Sequence, residues 1–482
     1  MMRTTVQPAY EEWNTILREN IACSPMLRSI LGADVVAEVR QAVVQEAVRY
    51  TDKLLLRAKD LGIQIAGYSL PEYDPDIPIV TAGHQPLIYH WGLYFKNLKL
   101  SQLANDTGSF GLNTIIDTDV GDAGRIMWPL VRGESISVKC GSVAVGPELY
   151  RAQTIAPIEH LDALFAEIVA DLERSGCTQA AASTGRVAEL YKKLSGESVV
   201  VANSLVRWAF EPRSYCEVPL SHILRIPKVA RLLTDFAKEY ERVVPIYNQT
   251  LDLYRHEHKI KNAANPFPNM RVQDGEYELP LWEVSDDRRK PVVASKSGVT
   301  VPTGSFLAPR GSISTLLLRG YCSDVAVHGL GGAKYDPFVD EFARALYGVH
   351  MPKFVVASCT KYLFPDVVER YENARQVKAR YKEMVSHTEK FFGGTLFSAE
   401  DEAVLRPLVS KRGALLEALR AAADPESRSK AAHQLNALNK EIKESIDQSA
   451  VVPILADAAI DDAALARWSC REFPFFMIDT LR

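Results

Sequence analysis

Three stretches of the chain carry residue types whose spacing could do chemistry. TAGHQP, residues 81–86, closes a short apolar run with Gly83, His84, Gln85 and Pro86. A glycine turn feeding a helix start offers backbone N–H groups and a positive dipole end to an anion, and a histidine there can neutralise a phosphate or move a proton. TIIDTDVGD sets Asp117 and Asp119 two residues apart beyond a second apolar run. Strand alternation continued through them would put both carboxylates on one side, where they could bind Mg2+, hold an ammonium or orient a base. The alternative for this pair is loop capping through Asx turns. HGLGGAKYD, residues 328–336, combines Gly329, Gly331 and Gly332, which permit close backbone approach, with His328, Lys334, Tyr335 and Asp336 around them. Arg310 in LAPRGS could pair with a carboxylate or phosphate, whereas Arg319 reads as a helix-surface charge.

Other chemistries lose their usual support. G-x-x-x-x-G-K-[ST], G-x-S-x-G and G-x-G-x-x-G are all missing, which removes the Walker loop, the nucleophile elbow and the dinucleotide fingerprint. His256 and His258 in RHEHK are two apart and would diverge on a helix, unlike the i, i+4 pair of a zinc helix. The 7 cysteines include no C-x-x-C pair, which fits a reducing compartment and argues against a metal or disulfide framework. No metal ligand set is therefore expected from the protein itself. Lys and Arg number 56 against 60 Asp and Glu, a net charge of −4, so no excess of positive charge exists to hold a nucleic-acid backbone. Glu11, Glu12 and Trp13 sit where a secretory signal needs an apolar core, and no stretch approaches a membrane span; the expectation is a cytoplasmic protein without a membrane partner.

The elements that must position these residues follow from periodicity. Residues 34–61 show amphipathic helical spacing closed by Gly62. Ile77–Thr81 reads as a strand that breaks at Ala82 and Gly83, and HWGLYFKNLKLSQLAND as the helix after it; His90 and Trp91 read as packing residues of that helix start. Leu112–Ile116 is the next strand, and strand, helix, strand implies a parallel crossover. The functional loops of such a sheet lie beyond its strand carboxyl ends, so His84, Gln85, Asp117 and Asp119 are expected on one rim. Residues 156–262 read as a helical insertion, and 265–285 as a loop followed by strands. Asp324–Val327 fits a strand, His328–Lys334 a glycine-rich loop, and Pro337 onward a helix with Pro in its first turn. After Pro365, Leu435, Leu438, Ile442 and Ile446 recur at helical steps and DPES makes a break that can cap the next segment. The predicted class is α/β: a Rossmann-like parallel-sheet core over 1–365, a C-terminal antiparallel coiled-coil arm over 366–450, and a segment over 451–482 that returns to the core, REFPFFMIDTL as a strand.

TAGHQPLIYHWGLYFKN, NTIIDTD and LAPR with HGLGGAKYDPFVDEF together resemble a bacterial family whose first motif reads T-G-H-Q-P. More distantly, they resemble the bacillithiol-synthesis cysteine-adding enzymes, over about residues 78–450. The resemblance implies a Rossmann-like core related to class I synthetase-type folds and a coiled coil that mediates dimers. It also implies attachment of cysteine through an amide to the amine of a glucosaminyl malate. Gly83, Gln85 and Pro86 match that family's first turn, Lys96 the helix after it, and Gly331 and Gly332 its glycine loop. The differences are His84 in place of Gln, Asp117-Thr118-Asp119 in place of an E-D-H-D run, and a glycine loop without Glu. His90-Trp91-Gly92-Leu93 approaches the H-x-G-H signature of class I aminoacyl-tRNA synthetases, with Leu at its fourth position.

The expected function is a carbon–nitrogen ligase joining an amino acid, cysteine first among them, to an amine on a small metabolite. Condensation in water is uphill, so ATP or a pre-activated acyl donor, with Mg2+, is the cofactor set to look for. In this scheme His84 is a general base or phosphate contact, Asp117 and Asp119 hold the ammonium or a metal, and Gly83 and Gln85 shape the first turn. Lys96, His328, Gly331, Gly332, Lys334, Tyr335 and Asp336 bind substrate, and Arg310 orients a carboxylate. The alternative is a nucleotide-binding scaffold without covalent chemistry, whose arm recruits a partner; a homodimer through that arm belongs to either reading.

Overall fold

The computed structural model describes residues 2–70 and 72–478. The chain is mixed α/β and its contacts divide it into two units, Met2–Lys361 with the segment from Arg471, and Tyr362–Cys470.

The first unit is built on a six-stranded mixed sheet. Its strands are β1 (Met2–Gln7), β2 (Ile79–His84), β3 (Phe110–Ile115), β4 (Cys216–Pro219), β5 (Val325–His328) and β6 (Val355–Lys361), in the spatial order β1-β6-β5-β2-β3-β4. Every neighbouring pair is parallel except β1 with β6. Parallel strands buried on both faces need apolar residues at successive positions, and β2 supplies them. Ile79 packs with Val39, Val43, Phe110 and Val218 on one face, while Val80 packs with Trp13, Leu100, Val325 and Val355 on the other. The helices doing this covering include α1 (Trp13–Leu31), α2 (Ala33–Asp60) and α3 (Trp91–Thr107). Asp324, just ahead of β5, ties α1, α2 and β2 together: its buried carboxylate takes Arg40 Nη2 at 2.5 Å, the Ile79 N–H at 2.8 Å and Arg28 Nη2 at 3.3 Å.

Several expectations change. Strand β2 runs on through Ala82 and Gly83 to His84, because Ala82–His84 pair in register with Asn113–Ile115 instead of turning away. The helical stretch 156–262 is interrupted by β4, which pairs with β3 at the sheet edge. The glycine run is not a loop: α5 (Leu330–Tyr347) starts at Leu330, with Gly331 and Gly332 in its first turn and Pro337 inside it. Arg319, on α4 (Ser312–Tyr321), is 2% exposed rather than a surface charge, since Asp336, Asp340 and the Pro352 carbonyl surround it.

A smaller antiparallel sheet, with Glu276–Val284 between Arg289–Ala294 and Phe306–Pro309, follows the loop expected near 265. The terminal apolar run forms a short helix, Phe475–Ile478, not a strand. The sheet edge beside β6 is already taken by β1, and Phe475 instead stacks on Tyr94 of α3 with centroids 4.4 Å apart. Residues 479–481 of that expectation lie outside the described residues.

The second unit is helical. Helices Pro365–Ser386, Ala399–Ala421 and Pro425–Ile446 are followed by Val451–Asp457 and Asp462–Trp468. Leu438, Ile442 and Ile446 are buried with Val377, Met384, Leu405 and Val451. Asp424 caps the last long helix by accepting from the Ser427 N–H at 2.8 Å, the role that DPES suggests.

Candidate functional site

A cleft of about 740 Å3 opens where β2 and β5 end, walled by α3, α4, α5 and the smaller sheet. Adjacent parallel strands that end together leave such a crevice beyond their carboxyl termini. Gly83, His84, Gln85, Lys96, Asp119, Arg310, His328, Gly331, Gly332, Tyr335 and Asp336 all line it. Asp117 and Lys334 do not.

Asp117 is 2% exposed, with Oδ1 accepting from the Ser221 N–H at 2.9 Å and Oδ2 from the Ser221 hydroxyl. Strand β3 ends at Ile115, and the Asp117 N–H bonds the Ile115 carbonyl in a turn, so strand alternation does not extend to the two aspartates. Lys334 is exposed on α5, and its carbonyl accepts from the Tyr254 hydroxyl.

The acidic side of the cleft is already paired. Asp119 Oδ1 lies 2.8 Å from Arg289 Nη1, and its Oδ2 accepts from Gln85 Nε2 at 3.2 Å. Asp336 Oδ2 takes Arg319 Nη1 at 2.8 Å and lies 2.7 Å from His328 Nε2. Arg310 reaches Glu278 at 2.8 Å and donates from Nε to the Leu281 carbonyl at 3.1 Å. Trp282 is in contact with two guanidiniums, with Arg310 3.8 Å and Arg289 4.4 Å from its ring centroid, so both arginines are held on one rigid platform.

The basic side is different. Lys96 points from α3 into the strand ends, 2% exposed, and Nζ donates to the Gly83 carbonyl at 2.7 Å. Burial, and then the positive charge of Arg207, pulls its pKa down to about 7. Burial, followed by the repulsion of Lys96, holds His84 near 3, so its imidazole is neutral at physiological pH. A neutral ring can hydrogen-bond a ligand, but it neither offers a phosphate a positive charge nor serves as an effective base. His90 caps α3 by accepting the Gly92 N–H at Nδ1, 3.0 Å away, and burial with the charge of Arg471 lowers its pKa to about 4.

At the other end, Gly329 in extended conformation precedes α5 with no side-chain cap, and no acidic residue sits in the first turn. The first N–H groups of a helix have no partner within it, so this end faces the cleft as a donor surface. A Cβ on Gly332 would lie 2.9 Å from His328 Nδ1; glycine here lets the imidazole sit over the helix start.

Sequence reasoning did not reach Trp282, Arg289 or Arg471, which also line the cleft. Arg289 meets Asp119 across 170 positions of chain, and Arg471 arrives on the terminal segment that Phe475 anchors; no local pattern marks either. Among the described residues, no group of three or more His, Cys, Asp or Glu could hold a metal ion, and no helix is long and apolar enough to cross a membrane. No family model matches the chain, and no curated protein is found similar to it.

Proposed function

We propose that the chain is a ligase-like enzyme of the cysteine-adding type, forming an amide between an amino acid and the amine of a small metabolite within this cleft. The observation that supports it is the meeting, in one crevice, of the T-G-H-Q-P-like turn, Asp119, Arg310 and the glycine start of α5. These segments are separated by tens to hundreds of residues and are the ones that carry the resemblance. In this reading Arg310 and Arg289 orient carboxylate groups from their Trp282 platform. The first turn of α5 binds the anionic part of an activated acyl donor, and Asp119 receives the substrate ammonium at the edge of its pair with Arg289. His84 serves as a neutral hydrogen-bonding group, and Asp117 as a structural anchor for Ser221. ATP fits as the source of activation, with its phosphates at the α5 start. Mg2+ would come on those phosphates, because the cleft carboxylates are engaged by arginines and form no cage. The accompanying architecture is a Rossmann-like core with a coiled-coil arm over 366–450 that pairs two copies in the cytoplasm.

The test is incubation of the purified chain with ATP, Mg2+, cysteine or other amino acids and a panel of primary amines, read by mass spectrometry for amide and by phosphate or pyrophosphate release. Amide whose formation falls with Arg310→Gln supports the reading. One observation favours the scaffold alternative: His84, at about 3, is unable to serve as the base. Calorimetric binding of ATP or ADP with no product in any combination would support the scaffold and remove the ligase.

A further inference from the structure

An amine is a nucleophile only after it gives up its proton, so amide formation needs a proton acceptor beside the acyl carbon. The cleft narrows the choice by occupying its other lone pairs. Asp119 is held by Arg289 and Gln85, and Asp336 by Arg319 with His328 against it. His90 Nδ1 is committed to the Gly92 N–H. His84 remains neutral but is far too weak a base.

His328 turns Nε2 onto Asp336 at 2.7 Å and Nδ1 onto the α5 start beside Gly332, which leaves Lys96 at the strand ends. The lysine nitrogen is sunk there, and the acceptor it has is the Gly83 carbonyl, to which either an ammonium or a neutral amine can donate. No carboxylate pairs with it among the described residues. The charged and titratable groups around Lys96 and α3 are mostly basic: His84 on β2, His328 on β5, Lys361 with Cys359 on β6, Arg207, and Arg471 on the terminal segment. Of the acids nearby, Glu472 lies 4.0 Å from His90, and the buried Glu211 and Glu217 are both bound by Arg207.

We propose that Lys96, beyond binding substrate, is the proton acceptor of the cleft, taking the proton from the incoming substrate ammonium. The inference rests on the amide-forming reading. In the step, R–NH3+ passes one proton to the lone pair of Lys96 Nζ, giving R–NH2 and the Lys96 ammonium. The R–NH2 nitrogen attacks the carbonyl carbon of an acyl phosphate or acyl adenylate, so a C–N bond forms and the C–O bond to the phosphate breaks. The leaving phosphate carries off the electron pair, and the second amine proton goes to it. Lys96 returns its proton to water when product leaves. The burial and basic surroundings that bring its pKa to about 7 place it where a base works best at neutral pH.

The experiment has two arms on the full chain. Competitive acetylation with acetic anhydride across the range from about pH 5 to pH 11, read by peptide mass spectrometry, gives the protonation midpoint of Lys96 against surface lysines. The expected midpoint is near neutrality; one in the ordinary lysine range overturns the proposal. In the second arm, Lys96→Arg keeps a cation but cannot accept a proton, and Lys96→Ala opens space for an added base. Turnover should fall about 100-fold or more in both, and small primary amines should restore Lys96→Ala but not Lys96→Arg. Wild-type-like pH dependence in Lys96→Arg, or failure of every amine to restore Lys96→Ala, overturns the role. A wild-type chain that makes no amide from any combination overturns the amide-forming reading itself, and the proton-acceptor role with it. An ordinary midpoint in a chain that does make amide overturns only the assignment of Lys96.

Discussion

A lysine kept in the fold without a counter-charge must weaken that fold, and replacing Lys96 with methionine measures by how much. The folded pKa of about 7 lies below the ordinary 10.5, so the unfolded chain binds this proton more tightly than the native one. The penalty is therefore complete below about pH 7 and fades as pH rises toward 10.5. At about 1.4 kcal/mol for each pH unit of difference, the destabilisation near pH 6 is on the order of 5 kcal/mol. Methionine keeps the length and apolar stem but gives up the hydrogen bond to the Gly83 carbonyl, a loss of about 1 kcal/mol. Lys96→Met should then be more stable than wild type by roughly 3–4 kcal/mol near neutral pH, with the advantage shrinking and changing sign by about pH 10. Urea midpoints of both proteins isolate the effect above about pH 7, where His84 and His90, the groups whose protonation Lys96 opposes, are neutral in both. A difference that does not vary with pH, or a methionine variant less stable near neutrality, would refute the account of Lys96 as a buried, uncompensated cation.

Asp324→Asn should be strongly destabilising, by about 3–5 kcal/mol in urea or thermal unfolding, because it strands Arg40 in the interior next to the Ile79 N–H. Gly332→Ala pushes a methyl against His328, and calorimetry should show weaker binding of ATP or ADP with little loss of stability. The imidazole nitrogens of His84 should show no NMR titration above about pH 5. With a folded pKa near 3 against 6.5 unfolded, His84 makes the protein lose stability as pH falls below about 6.5, and His84→Gln should flatten that acid limb. Asp117→Ala leaves the Ser221 N–H without its acceptor and should cost about 1–3 kcal/mol of stability, while ligand affinity in the cleft stays unchanged.

Much of the scaffold was legible in the sequence because local spacing encodes it. The apolar stripe of 34–61, the β-branched run at 79–81 followed by the helix from Trp91, the strand before Asp117 and the cap in DPES each depend on neighbours a few positions away. So did the choice of turns: His84, Gln85 and the 328–336 run end adjacent or nearly adjacent strands, and strand ends in a parallel sheet share one rim.

What tertiary structure alone decided is which side chains face that rim and in what charge state. Asp117 and Asp119 look equivalent in sequence, yet a turn after Ile115 buries one against Ser221 and gives the other to Arg289. Pro337 promises a helix start, but α5 begins a full two turns earlier, where Gly332 leaves room for the ring of His328. The N-terminal strand and β4 find their places by pairing with strands remote in the chain. Residue types and periodicity act over one or two turns of backbone, whereas burial, ion pairing and proton affinity are set by whatever the fold brings within a few ångströms; that is why the sequence names Lys96 and only its surroundings make it unusual.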